Sequence, residues 1–121
     1  MLRNACVLAA LLASGCATTT DDRPVTADYI AEAILAPACG RAACHSSGVK
    51  PKNYAFDTVA AAKEALLRLV QPGNADMSEL MQVMREATRT KGGAMPPDGP
   101  LPDADIALIR TWIDDGASGL K

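Results

Sequence analysis

Histidine is nearly absent from this chain: His45 stands alone among 121 residues. One imidazole cannot build a blue-copper centre, which wants two His and one Cys. Nor is there a second His to support acid–base work on peroxide. Aromatic side chains are scarce too, limited to Tyr29, Tyr54, Phe56 and Trp112. Basic charge is not in excess, with 12 Lys and Arg against 14 Asp and Glu, and this balance argues against nucleic acid as a partner. No apolar run is long enough to cross a bilayer as a helix. No alternating apolar–polar pattern stands out, so strands are not expected. Of the four cysteines, Cys6 and Cys16 lie near the N-terminus. Only Cys39 and Cys44 remain for the folded part, and one disulfide between them would close a loop too small to constrain much of the chain.

The N-terminus reads as a targeting segment. Arg3 precedes a short apolar run over residues 5–13, and Ser14, Gly15 and Cys16 follow. This is a signal-peptide pattern. Leu12-Ala13-Ser14-Gly15-Cys16 resembles the bacterial lipoprotein cleavage box, with Ala13 where Leu is commonest. That resemblance implies a signal peptide at 1–15 and a lipid on Cys16; cleavage by an ordinary secretory route is the alternative. The mature chain is then slightly acidic. Residues 16–26 carry the lipid and a polar tether, which spans at most about 36 Å extended and about 17 Å as a flexible coil. A large apolar cofactor would compensate for the small core expected of such a domain.

Residues 27–121 read as an all-α domain of four helices separated by Pro/Gly loops. The first is expected over 27–36, with Thr26 as N-cap, Tyr29, Ile30, Ala33 and Ile34 as its apolar stripe, and Pro37 at its end. The second is expected over 58–70, capped by Asp57, with Leu66, Leu67 and Val70 buried. The third is expected over 78–87, with Leu80, Met81 and Met84 on one side. The fourth is expected over 103–115, with Ile106, Ile109 and Ile113 on one face, Trp112 at its edge and Gly116 just past its end.

The informative segment is Cys39-Gly40-Arg41-Ala42-Ala43-Cys44-His45. Covalent haem attachment needs two thiols for the two vinyl groups and a His directly after the second Cys; the usual spacing is C-x-x-C-H. Here two residues are added. On a regular helix thiols three apart sit about 60° from each other, and thiols five apart roughly 140°. The extra residues must therefore loop out, and Gly40 is the residue best suited to allow it. A Cys39–Cys44 disulfide, or a copper site from Cys39, Cys44, His45 and Met95, are the other readings of the same residues.

Met95 lies in Gly92-Gly93-Ala94-Met95-Pro96-Pro97. A thioether is a good sixth ligand for haem iron, and two prolines stiffen the backbone beside it. Met77, Met81 and Met84 lie on or beside a helix whose apolar face claims them as core.

Together these segments resemble the small monohaem class I cytochrome c domains, especially the C-x4-C-H variety of bacterial secreted and lipoprotein chains. The likeness runs from residue 27 to about 118. It is carried by Ile34-Leu35-Ala36-Pro37-Ala38-Cys39, by Cys44-His45, by Val70-Gln71-Pro72-Gly73-Asn74, by Met95-Pro96-Pro97 and by Ile109-Arg110-Thr111-Trp112-Ile113 running to Gly116-Ala117. It implies a cytochrome c-like bundle around one covalent haem c. Cys39 and Cys44 would carry the thioethers, His45 would be the proximal iron ligand and Met95 the distal one. The first and last helices would cross beside the haem, with Trp112 near the crossing.

The expected function is electron transfer rather than catalysis, because His/Met ligation leaves no open iron position. The alternatives are a haem enzyme or gas sensor with a labile Met95, and a haem-free lipoprotein module with a Cys39–Cys44 disulfide. The expected partners are redox proteins and, through the lipid, a membrane. Arg85, Arg89 and Lys91 form either a basic rim for an acidic partner or a solvated helix end. The expected location is the periplasmic side of a membrane. Ala17 after the acylated Cys, where Asp would retain the protein on the inner membrane in enteric bacteria, favours the outer one.

Overall fold

The computed structural model describes residues 20–85 and 93–121. The signal segment, Cys16, Ala17, Arg89 and Lys91 lie outside them. Among the described residues the chain is helical and without strands.

The first helix, α1, is composite: α-helical over Ala27–Tyr29, π-helical over Ile30–Leu35 and α-helical again over Ala36–Cys39. Thr26 caps it by accepting from the Tyr29 N–H. It continues through Pro37 rather than ending there. A proline ring clashes with the carbonyl four residues back and has no N–H to offer it. The wider π turns, in which the Ala36 N–H reaches Ala31 O, absorb that misfit. The buried positions are Ala27, Ile30, Ala31, Ile34 and Leu35, a helical stripe; Ala33 is exposed.

The second helix, α2, spans Val59–Leu69. Thr58, not Asp57, is its cap, accepting from the Ala61 N–H. Asp57 instead accepts from Ser47 N and Ser47 Oγ, each at 2.8 Å. Ala62, Ala65, Leu66 and Leu69 face inward, whereas Leu67 is 52% exposed. Leu67 follows Leu66 by 100°, which carries it off the buried stripe.

A third helix, α3, covers only Glu79–Val83. The chain has left the helix by Met84 and Arg85, and residues 86–87 of the longer expected helix lie outside the described set. Leu80, Met81 and Met84 are buried, while Met77 is 62% exposed. Ser78, almost wholly buried, ties the preceding turn: its Oγ accepts from Gln71 N at 2.8 Å and donates to Asn74 O at 2.9 Å. The last helix, α4, spans Asp103–Asp114, and Gly116 beyond it has φ +102, a left-handed end that glycine reaches without strain.

The core joins α1, α2, α3 and α4 around Trp112, which is fully buried rather than at an edge. Its indole N–H donates to Ser118 O at 3.0 Å, and the Ala27 N–H donates to the same oxygen at 3.1 Å. One carbonyl thus joins the start of α1 to the turn after α4. The middle loop docks on α4 as well, through Gly73 N to Ile113 O and Ala75 N to Asp114 Oδ1. Each buried large aliphatic side chain here contributes roughly 1.5–3 kcal/mol by leaving water.

The segment before α1 is fastened from Asp21 onward. Arg23 pairs with Asp21 and with Asp105, and donates to Ala104 O in the first turn of α4. Val25 packs against the core, and Val25 O accepts from Ser118 Oγ. Arg23 and Val25, in the stretch expected as tether, are thus fastened to the domain.

Candidate haem site

The site begins where α1 ends. Cys39 is its last residue, and Gly40 N–H closes the end by donating to both Leu35 O and Ala36 O. The chain then leaves the helix. Cys44 N–H donates to Arg41 O at 2.8 Å, and His45 N–H returns to Cys39 O at 2.9 Å. The added residues of C-x4-C-H form this turn, which brings His45 back over Cys39. Gly40 has an ordinary φ of −82°, so backbone freedom is not why glycine stands here. The reason is proximity: a Cβ at Gly40 would lie 2.7 Å from Phe56 C, Phe56 O and Asp57 N.

That close approach packs the Cys loop against residues 54–57. The Phe56 N–H donates to His45 O at 2.7 Å. The His45 ring meets the Phe56 ring edge-on, 5.6 Å between centroids and 79° between planes. The His45 Nδ1 lies 3.2 Å from Tyr54 O. A carbonyl can only accept, so this bond assigns the ring proton to Nδ1 and leaves the Nε2 lone pair available. Metal-binding histidines are characteristically held in this way.

Two adjoining cavities flank His45. Cys39, His45, Met95 and Pro96 line both, and Cys44 lines the second. The walls of the first are mainly apolar, from Phe56, Leu69, Leu80, Val83 and Met84, with Lys52 and Glu79 as its charged members. The fold therefore brings all four candidate residues, Cys39, Cys44, His45 and Met95, to one slot. Burial, with Cys44 close by, pushes the Cys39 thiol up to about 11, so it stays protonated at neutral pH. Neither thiol is bridged.

Met95 is placed by its own N–H, which donates to Val83 O at 2.9 Å. It is 36% exposed, whereas Met81 is buried in the core. Met84 is also buried but reaches the first cavity, so it is the second thioether at the slot. Arg41 of the Cys loop pairs with Asp98 of the Met95 loop at 3.6 Å; both are exposed and the pair adds little stability. Arg85, one of the candidate rim cations, is taken up by Asp76, which Arg110 also meets.

A haem fits the donor set: one imidazole with its tautomer held, two thiols after α1, a thioether on the facing loop and apolar walls between them. Tyr54, Phe56 and Leu69 are wall and second-layer residues that the motifs do not reveal. The sequence sign for Tyr54 and Phe56 is that two of the scarce aromatics fall close together shortly after His45; Leu69 has none. Among the described residues no three His, Cys, Asp or Glu side chains converge, and no helix is long and apolar enough to cross a membrane. The chain matches no protein-family model, no characterised protein and no solved structure.

Proposed function

We propose that this chain is a c-type cytochrome-like electron carrier: a small all-α bundle around one covalent haem, with His45 and Met95 as axial ligands. The observation that carries this reading is the His45 Nδ1–Tyr54 O bond beside an apolar slot that Met95 also lines. A bound haem c supplies one-electron redox chemistry. Cys39 and Cys44 would hold it through thioethers. Tyr54 O holds the ring proton on His45 Nδ1, so Nε2 would be free to bind iron. Met95 would supply a thioether ligand, and Phe56, Leu69, Leu80 and Val83 would exclude water. With His45 and Met95 both bound to the iron, no position would remain for a substrate, which supports a role in transfer rather than catalysis.

The lipid box places the protein, on the same proposal, at the periplasmic side of a membrane through Cys16, with the outer membrane favoured. Its partners are redox proteins docking close to that surface.

The test is haem staining after denaturing electrophoresis of protein from a host with haem-attachment machinery. Stain should stay on the wild-type band and vanish in Cys39→Ala/Cys44→Ala. A wild type that loses its stain on denaturation, or never carries any, would overturn the proposal.

A further inference from the structure

The Tyr54 carbonyl that holds His45 sits at the end of a demanding loop. Lys50, Lys52 and Asn53 all have left-handed backbones, with φ of +44°, +52° and +63°. None is glycine, and such conformations persist only where neighbouring structure enforces them. Internal bonds, Asn53 N–H to Lys50 O and Tyr54 N–H to Pro51 O, curl the loop but do not fix it to the domain. Arg68, in the last turn of α2, does. Its Nη2 donates to Asn53 O at 2.7 Å. Its guanidinium carbon also lies 4.7 Å from the centre of the Tyr54 ring, a cation–π contact. One planar cation thus grips the residue before the carbonyl and the side chain of the residue that bears it.

The geometry points to Arg68 as a positioning residue for the proximal ligand: by clamping Asn53 and Tyr54 to α2, it sets how firmly Tyr54 O holds the His45 ring N–H. This rests on the proposed haem site, but only for its redox consequence. A firm Nδ1–H bond makes the imidazole a more electron-rich ligand, which favours oxidised iron. Loosening the clamp raises the reduction potential. Removing a nearby positive charge lowers it. Arg68→Lys separates the two effects, because it keeps the charge and loses the planar fork and stack.

The experiment compares haem-loaded wild type with Arg68→Ala, Arg68→Gln and Arg68→Lys. Lys63→Gln is the control, since it removes a cation from α2 that pairs with exposed Asp28 and lies outside the contacts of Arg68. Solvent exchange of the His45 ring N–H in the reduced protein is read by NMR. His45 is the sole histidine, so its signal is unambiguous. Exchange should accelerate about tenfold or more in Arg68→Ala and Arg68→Gln, less in Arg68→Lys, and not at all in Lys63→Gln. The potential should rise in Arg68→Lys. Unchanged ring N–H exchange in folded Arg68→Ala and Arg68→Gln overturns the inference. If the wild type carries no haem, the proposed function fails, yet the ring nitrogens of neutral His45 in the full chain still decide about Arg68. The proton should sit on Nδ1 in wild type and shift toward Nε2 in Arg68→Ala; identical tautomer patterns overturn the inference.

Discussion

His45 Nδ1 and Tyr54 O, nine residues apart in sequence, lie 3.2 Å from each other. This contact orients the lone histidine and leaves its Nε2 free. It depends on the Cys loop and residues 54–57 packing closely enough for backbone to meet backbone at Gly40.

Gly40→Ala should therefore be costly although the backbone angles at this position suit any residue. The added methyl would meet main-chain atoms of Phe56 and Asp57, which cannot swing aside. Overpacking of this kind costs about 1–3 kcal/mol. Denaturant titration should show the loss, and haem loading should fall with it. A variant as stable as wild type would show that the two segments separate freely.

Met95→Ala should abolish the weak charge-transfer band of an iron–thioether bond and lower the reduction potential. Met81→Ala should leave the band and cost about 2–5 kcal/mol of stability as a core truncation. Met84 borders the same cavity, so Met84→Ala is the decisive companion. Loss of the band there, with retention in Met95→Ala, would reassign the distal ligand.

Trp112→Phe should destabilise the domain without touching the slot. The substitution leaves Ser118 O with the Ala27 N–H but without the indole N–H, a loss of about 0.5–1.5 kcal/mol, and the smaller ring leaves a gap in the core. Thermal melting reads the loss, while the absorption spectrum of the haem-loaded protein should stay as in wild type.

Two hydrogen bonds from Ser47, one from its N–H and one from its hydroxyl, hold the Asp57 carboxyl below its ordinary value of 3.8. A depressed folded-state value means the contact stabilises above that ordinary value and is lost as pH falls below it. The Ser47 amide resonance should move in one step in this acid range. Asp57→Asn, which keeps an acceptor but cannot titrate, should remove the step.

Fractionation tests the anchor. Wild type should sediment with membranes, and Cys16→Ala should not appear there as a mature, anchored form. Wild type found wholly in the soluble fraction would remove the lipid and the close docking it implies.

Much was legible in the residues alone. Helical periodicity and Pro/Gly punctuation announce the helices, because a buried stripe must recur every three to four positions. Cys39, Cys44, His45 and Met95 stand out in the sequence by type and order, and the fold brings them to two adjoining cavities. Other features depend on what lies across the fold. Leu67 and Ala33 look apolar and inward but face solvent, since a helix has only one buried side. Asp57 looks like a cap, yet Ser47, ten residues away, claims it. Pro37 looks like a stop, yet π turns carry α1 through to Cys39. Gly40 reads as a flexible point, whereas its need comes from Phe56 at 2.7 Å. Sequence thus determined which side chains are the candidates for chemistry, through residue types and short-range spacing. Only the tertiary structure decided which partner orients His45, because a hydrogen bond to a carbonyl places no demand on the identity of the residue that supplies it.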